Sequence, residues 1–220
     1  MKKLIIAIIF TVLVATNSWA TYTYTGNISG GDGTLIATDS WSTAVLDWVV
    51  SSDSDVWTYN YTFSVSDSVS DKGISHMIFE VSDTFTAANI LLPGTTEGYE
   101  LGTYSSENGN PGMPGSVFGL KWDLSGDPLS QSITIVTDRP PMWGDFYAKD
   151  GDEAATDGKV FAYNSQFGID PSAPLGNDNV GGWAMVPDTG SPPVPEPTTM
   201  VLLGAGLIGL AGASRKKRGK

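Results

Sequence analysis

Three groups of residues in this chain could do chemistry. The first is Trp143, Asp145 and Tyr147, within the run Asp138–Lys159. Exposed aromatic faces stack on sugar rings, and a neighbouring carboxylate accepts hydrogen bonds from hydroxyls. These residue types therefore fit a glycan contact, although aromatics in an all-β domain more often fill the core. The second group is Asp150, Asp152, Glu153 and Asp157, crowded into one Gly-containing stretch. Calcium takes several oxygen ligands on a flexible loop. The spacing is not that of an EF-hand, because a third early ligand and a Glu at the twelfth position are missing. The alternative is a solvated acidic turn. The third is His76, the only histidine and so the only imidazole for a Ser-His-Asp triad. No Gly-x-Ser-x-Gly elbow and no zinc-binding helix motif accompanies it. The many acids supply many carboxylate pairs for a glycosidase, but their abundance marks no site. The expectation is a non-enzymatic body.

Strands must position these groups. Val56–Ser66 alternates Trp57, Tyr59, Tyr61, Phe63 and Val65 with Thr58, Asn60, Thr62 and Ser64, the period-two signature of a half-buried strand. Shorter runs of the same kind cover Tyr22–Ile28, Ala44–Val50, Ser75–Val81, Ser132–Thr137, Lys159–Tyr163 and Gly182–Val186. Gly, Pro, Asn, Asp and Ser fill the gaps. Gly31-Asp32-Gly33 and Asp53/Asp55 read as hairpin turns, and Leu92-Pro93-Gly94-Thr95-Thr96 as a turn. Gly102–Gly115 reads as a long surface loop. The alternation around His76 points it away from Met77, Phe79 and Val81, which predicts a surface or sheet-edge histidine. No helix is evident between residues 21 and 187. The prediction is an all-β fold, a single antiparallel β-sandwich, jelly-roll-like or Ig-like.

Charge and composition narrow the partners. The chain has 220 residues, with 12 Lys+Arg, 24 Asp+Glu and no Cys. Seven of the basic residues and one acid (Glu196) lie in the terminal segments, so the body carries 5 basic against 23 acidic residues, a formal charge of −18. Such a surface repels phosphate backbones and excludes nucleic acid as a partner. The absence of Cys excludes disulfides, thiolate metal sites and a cysteine nucleophile.

The two ends read as addresses. Residues 1–20 have Lys2 and Lys3, then an apolar run, then Ser18-Trp19-Ala20, as in a secretory signal peptide cleaved after Ala20. At the other end, Pro195-Glu196-Pro197 precedes an apolar stretch and the cluster Arg215, Lys216, Lys217 and Arg218. Two prolines hold the backbone extended, as a processing enzyme requires. The apolar stretch is short for a membrane span, which snorkelling basic side chains and local thinning can accommodate. The basic cluster acts as a stop on the cytoplasmic side, leaving the body outside.

Motif, short apolar segment and basic cluster, in that order, resemble the PEP-CTERM sorting domain of Gram-negative bacteria, read by the membrane enzyme exosortase. The resemblance implies that Pro195, Glu196 and Pro197 form the sorting motif and that exosortase is a partner. It further implies transient anchoring in the inner membrane, cleavage near the motif, and a final location at the cell surface or in an exopolysaccharide, biofilm or floc matrix. The expected organisation is signal peptide 1–20, β-sandwich 21–187, Pro-rich linker 188–197, transmembrane sorting helix 198–214 and basic tail 215–220. The expected role is structural or adhesive, with exopolysaccharide as partner. A carbohydrate-binding module, with or without calcium, is the alternative, and a secreted glycoside hydrolase the third reading.

Overall fold

The computed structural model describes residues 21–65, 72–151, 159–169, 175–177 and 181–187. The expected signal peptide, linker, sorting helix and basic tail lie outside the described residues. Among the described residues, no helix is long and apolar enough to cross a membrane.

The described chain is all-β. In order it forms β1 (Thr23–Ser29), β2 (Leu35–Ala37), β3 (Val45–Asp53), β4 (Val56–Ser64), β5 (Ile74–Glu80), β6 (Tyr99–Tyr104), β7 (Val117–Asp123), β8 (Ser130–Thr137), β9 (Pro141–Gly144), β10 (Phe146–Asp150), β11 (Phe161–Asn164) and β12 (Ala184–Pro187). Three short 3-10 turns, Asp39–Trp41, Ala87–Asn89 and Ser106–Asn108, are the helical elements among these residues. A four-stranded sheet runs β1-β3-β4-β8, a six-stranded sheet β2-β11-β10-β5-β7-β6, and β12 pairs with β9. All pairings are antiparallel.

The two large sheets face each other across one core. The alternation of β4 turns Trp57, Tyr59, Tyr61 and Phe63 inward. Tyr61 stacks on Phe79 of β5 with ring centroids 4.0 Å apart. Phe63 meets Phe146 of β10 at 5.1 Å, and Phe79 meets Trp122 of β7 edge-on at 6.2 Å. Such ring pairs add specific geometry to a large apolar burial. The Tyr61 hydroxyl is fully buried and donates to the Met185 carbonyl at 2.7 Å, tying β12 to the core.

All seven strands read from the alternation are present, with ends shifted by a few residues. Asp53 and Asp55 flank the β3–β4 hairpin turn as expected, with Ser54 at positive φ. The sequence reading lacks β2, β6, β7, β9 and β10. The stretch Gly102–Gly115 departs from its reading as a surface loop. Gly102–Tyr104 completes β6, and Asn110 and Met113 are buried against the outer face of the six-stranded sheet. Met113 packs there with Ile78, Val117 and Tyr147 in a second apolar cluster. Gly112, at φ +72, lies flat on the Phe161 ring, where a Cβ would overlap it. This segment therefore acts as a strap across the sheet.

The strap corrects the placement of His76. The residue does face away from Met77 and Phe79, but the strap covers that side and leaves it 4% exposed. Nε2 bonds Asn110 Oδ1 at 2.9 Å, and Nδ1 faces Asp123 Oδ1 at 3.8 Å. The Asn110 amide donates to the Ser105 carbonyl, so its oxygen is the acceptor and Nε2 the donor. Burial pushes the imidazole down to about 4; Lys121 and Lys149 add to this, while Asp123 and the Asn110 bond oppose it. Tyr147 packs beside the ring.

Beyond the core, the four-stranded sheet has a second, solvent-facing side. The register aligns it in four rows: Thr23, Ser51, Thr58, Val136; Thr25, Val49, Asn60, Thr134; Asn27, Asp47, Thr62, Ser132; and Ser29, Val45, Ser64, Ser130. Sheet edges are closed by side chains. Leu91 N–H donates to Val136 O and Thr96 N–H to Thr134 O, while the Thr95 and Thr96 hydroxyls accept from Val136 and Thr134 N–H. The turn read in Leu92–Thr96 is thus the cap of β8. On β1, Asn177 Oδ1 accepts from Thr25 N–H and Thr34 Oγ1 from Ser29 N–H. On β6, Asn108 donates to Thr103 O and the Tyr104 hydroxyl to Glu100 O.

Two outcomes follow from this packing. Tyr61→Phe strands the buried Met185 carbonyl and should cost about 1–3 kcal/mol in urea unfolding; an unchanged midpoint would show that water or a neighbour replaces the bond. For His76 the folded value lies below the ordinary value of 6.5. Its contribution to stability is therefore complete above pH 6.5 and is lost as pH falls towards about 4. The gap corresponds to about 3 kcal/mol. Burial raises Asp145 and Asp150, which contribute with the opposite sign; they cancel when the parent is compared with His76→Gln. The parent's urea midpoint should fall more steeply than the variant's over that window, and parallel curves would refute the assignment.

Candidate functional site

An open cleft of about 340 Å³ lies where the C-terminal end of β5, the β9–β10 junction and the turn after β11 converge. Glu80, Ser116, Met142, Trp143, Gly144, Asp145, Gly168 and Ile169 line it. Of the three residues expected to contact a glycan, the structure brings Trp143 and Asp145 to this cleft and does not bring Tyr147.

Asp145 sits between β9 and β10 and holds the floor together. Its N–H donates to Glu80 Oε2 at 2.8 Å, and its carbonyl accepts from the Glu80 N–H at 2.9 Å. One carboxylate oxygen accepts from Asn164 Nδ2 at 3.0 Å and the other from the Gly168 N–H at 2.8 Å. The side chain is 5% exposed, and burial raises its pKa against these two bonds. Asn164 Oδ1 in turn accepts from Phe146 N–H. This network fixes the position of Asp145 and Glu80 and leaves Asp145 little freedom to act on a ligand.

The aromatic residues are placed differently from the expectation of exposed stacking faces. Trp143 is 3% exposed and packs edge-on against Trp48, with centroids 6.3 Å apart. Tyr147 is fully buried on the opposite side of its strand, under the strap, and its hydroxyl donates to Pro111 O at 2.7 Å. Neither presents a ring face to solvent, because the chain passes from one sheet to another at Asp145, and the Trp143 ring of β9 enters the main core while the Tyr147 ring of β10 enters the second cluster. Glu80, Ser116 and Ile169 come to the cleft without any signal in the sequence; Ile169 is 55% exposed at its rim.

The acidic run is represented among the described residues by Asp150 alone, since Asp152, Glu153 and Asp157 lie outside them. Asp150 is 2% exposed and pairs with Lys72 Nζ at 3.5 Å. Burial raises its pKa, and Lys72 opposes the rise. In this setting Asp150 is part of a buried ion pair. Among the described residues, no three His, Cys, Asp or Glu side chains are grouped to hold a metal ion. His76, with Asn110 and Asp123 at its two nitrogens, has the partners of a structural histidine.

The residues Pro195, Glu196, Pro197, Arg215, Lys216, Lys217 and Arg218 lie outside the described residues. A family model, the PEP-CTERM protein-sorting motif, matches residues 193–216. Comparison with curated proteins and with solved structures gives no match. The motif implies export and anchoring in the membrane before sorting. The chain thus carries a PEP-CTERM protein-sorting motif, which supports an exported protein sorted by exosortase.

Proposed function

We propose that the chain is a structural or adhesive protein, cut near Pro195-Glu196-Pro197 and retained at the cell surface within or beneath an exopolysaccharide or biofilm matrix. The sorting motif over residues 193–216 carries this reading. The body is then a rigid β-sandwich scaffold, and its work is non-catalytic. The buried settings of His76, Asp145 and Asp150 support that view, because each is engaged in holding the fold. The acidic surface keeps the exported domain soluble.

A second reading is a carbohydrate-binding module acting through the cleft. Its apolar rim at Ile169 and Met142, beside the Glu80 carboxylate and the Ser116 hydroxyl, favours a small polar ligand with an apolar face. Glycan binding abolished by Ile169→Lys would support this reading. Polysaccharide turnover by the purified chain would overturn the non-catalytic one.

The decisive measurement is the intact mass and C-terminal peptide of the protein in membrane, surface and medium fractions. The surface pool should lack everything beyond the Pro-Glu-Pro region. The double variant Pro195→Ala with Glu196→Ala should keep Arg215–Lys220 and remain in the membrane fraction. Unchanged processing of that variant, or an intact tail in the surface pool, would refute the proposal.

A further inference from the structure

The solvent-facing side of the four-stranded sheet differs in chemistry from the rest of the chain. Of its sixteen aligned positions, twelve are Ser, Thr or Asn, three are Val and one is Asp. Those sixteen positions of a protein with 24 acidic residues hold one carboxylate, Asp47, and no basic group; a second carboxylate, Asp53, follows on β3 opposite Val56, beyond the last full row.

Each class of partner makes its own demand on a surface. A polyanion or an anionic membrane needs Lys and Arg. A hard cation needs several converging carboxylates. A protein partner is typically anchored by aromatic residues or Arg at the centre of the contact. These sixteen positions supply none of these. They supply hydroxyl and amide groups, which both donate and accept, on a lattice of about 4.8 Å between strands and about 6.8 Å between same-face neighbours. Several are already held in place across strands. Thr62 and Ser132 bond at 2.9 Å, Ser64 and Ser130 at 2.8 Å, and Thr134 donates to Asn60 at 2.9 Å. Ordered side chains lose less freedom on binding. Val45 and Val49 place methyl groups among them, suited to the C–H faces of a sugar ring.

We infer that this hydroxyl-lined face binds an uncharged polysaccharide laid flat across the strands. The inference rests on the matrix role proposed above and gives that role a surface and a polymer class. Each contact exchanges one hydrogen bond with water for another and is weak alone. A repeating polymer meeting a repeating face adds many of them. Because no ion pair is involved, the association is insensitive to salt.

The test uses the full mature chain with microcrystalline cellulose and soluble hydroxyethyl cellulose as neutral probes and alginate as the anionic one. The parent should bind the neutral polymers equally at low and high salt and leave alginate unbound. Asn60→Lys with Thr62→Lys plants two long charges in the middle of the face and should weaken binding by about tenfold or more, about 1.4 kcal/mol. Circular dichroism melts check folding, and Thr25→Lys near the edge serves if the double variant fails to fold. Failure of the parent to bind either neutral polymer, equal binding by the variants, or loss of binding at high salt would each overturn the inference. Variants retained like the parent in the matrix fraction of producing cells would sink the face and leave the matrix role standing. Absence of the parent from that fraction would sink the role itself.

Discussion

The stacking of Tyr61 on Phe79, with ring centroids 4.0 Å apart, is the contact on which the architecture rests. It joins the middle of one sheet to the middle of the other. Phe63, Phe146 and Trp122 close around the pair, and the Tyr61 hydroxyl reaches on to the Met185 carbonyl. In a chain without disulfides, the two layers are held together by this burial of aromatic surface. Everything that faces outward is positioned by it. Alternation along β4 puts its four large rings inward and Thr58, Asn60, Thr62 and Ser64 outward. The cleft floor at Asp145 begins one residue before Phe146, which is itself a member of the ring cluster.

Most of the four-stranded sheet was legible in the sequence, and much of the six-stranded one was not. β4 shows its alternation openly because solvent lies on one side of it. β5, by contrast, is buried at five of its seven positions, so Ile74–Glu80 shows which face His76 takes and hides that this face is covered. Its second covering is the strap, whose Gly-, Asn- and Pro-rich composition looks like a free loop. β7 is interrupted by Gly119, which lies against the Phe79 backbone where a Cβ would collide. Gly in a strand marks such close approaches, and sequence alone cannot distinguish it from a turn signal.

The candidate residues divide in the same way. Trp143 and Asp145 were found through residue type, and the structure does gather them at a cleft. Their neighbours Glu80, Ser116 and Ile169 come from three distant parts of the chain, and only the sheet topology unites them. Tyr147 and Asp150 have the residue types of ligand-binding groups, but each is turned inward, to Pro111 and to Lys72. The sorting segment is the opposite case. Its information is linear, a Pro-Glu-Pro motif ahead of an apolar run and a basic cluster, so sequence suffices to read it.

The side-chain caps on the sheet edges carry a consequence for life in a crowd. A protein anchored in a membrane before it is sorted meets its own copies more often than a dilute protein does. Exposed strand edges under such conditions act as templates for strand addition and runaway fibre growth. Here Thr95 and Thr96 occupy the backbone of β8, and Asn177 and Thr34 that of β1, while β2 is only three residues long. Copies of this chain can be packed densely without knitting into one another, and each remains a separate brick that only its faces can mortar.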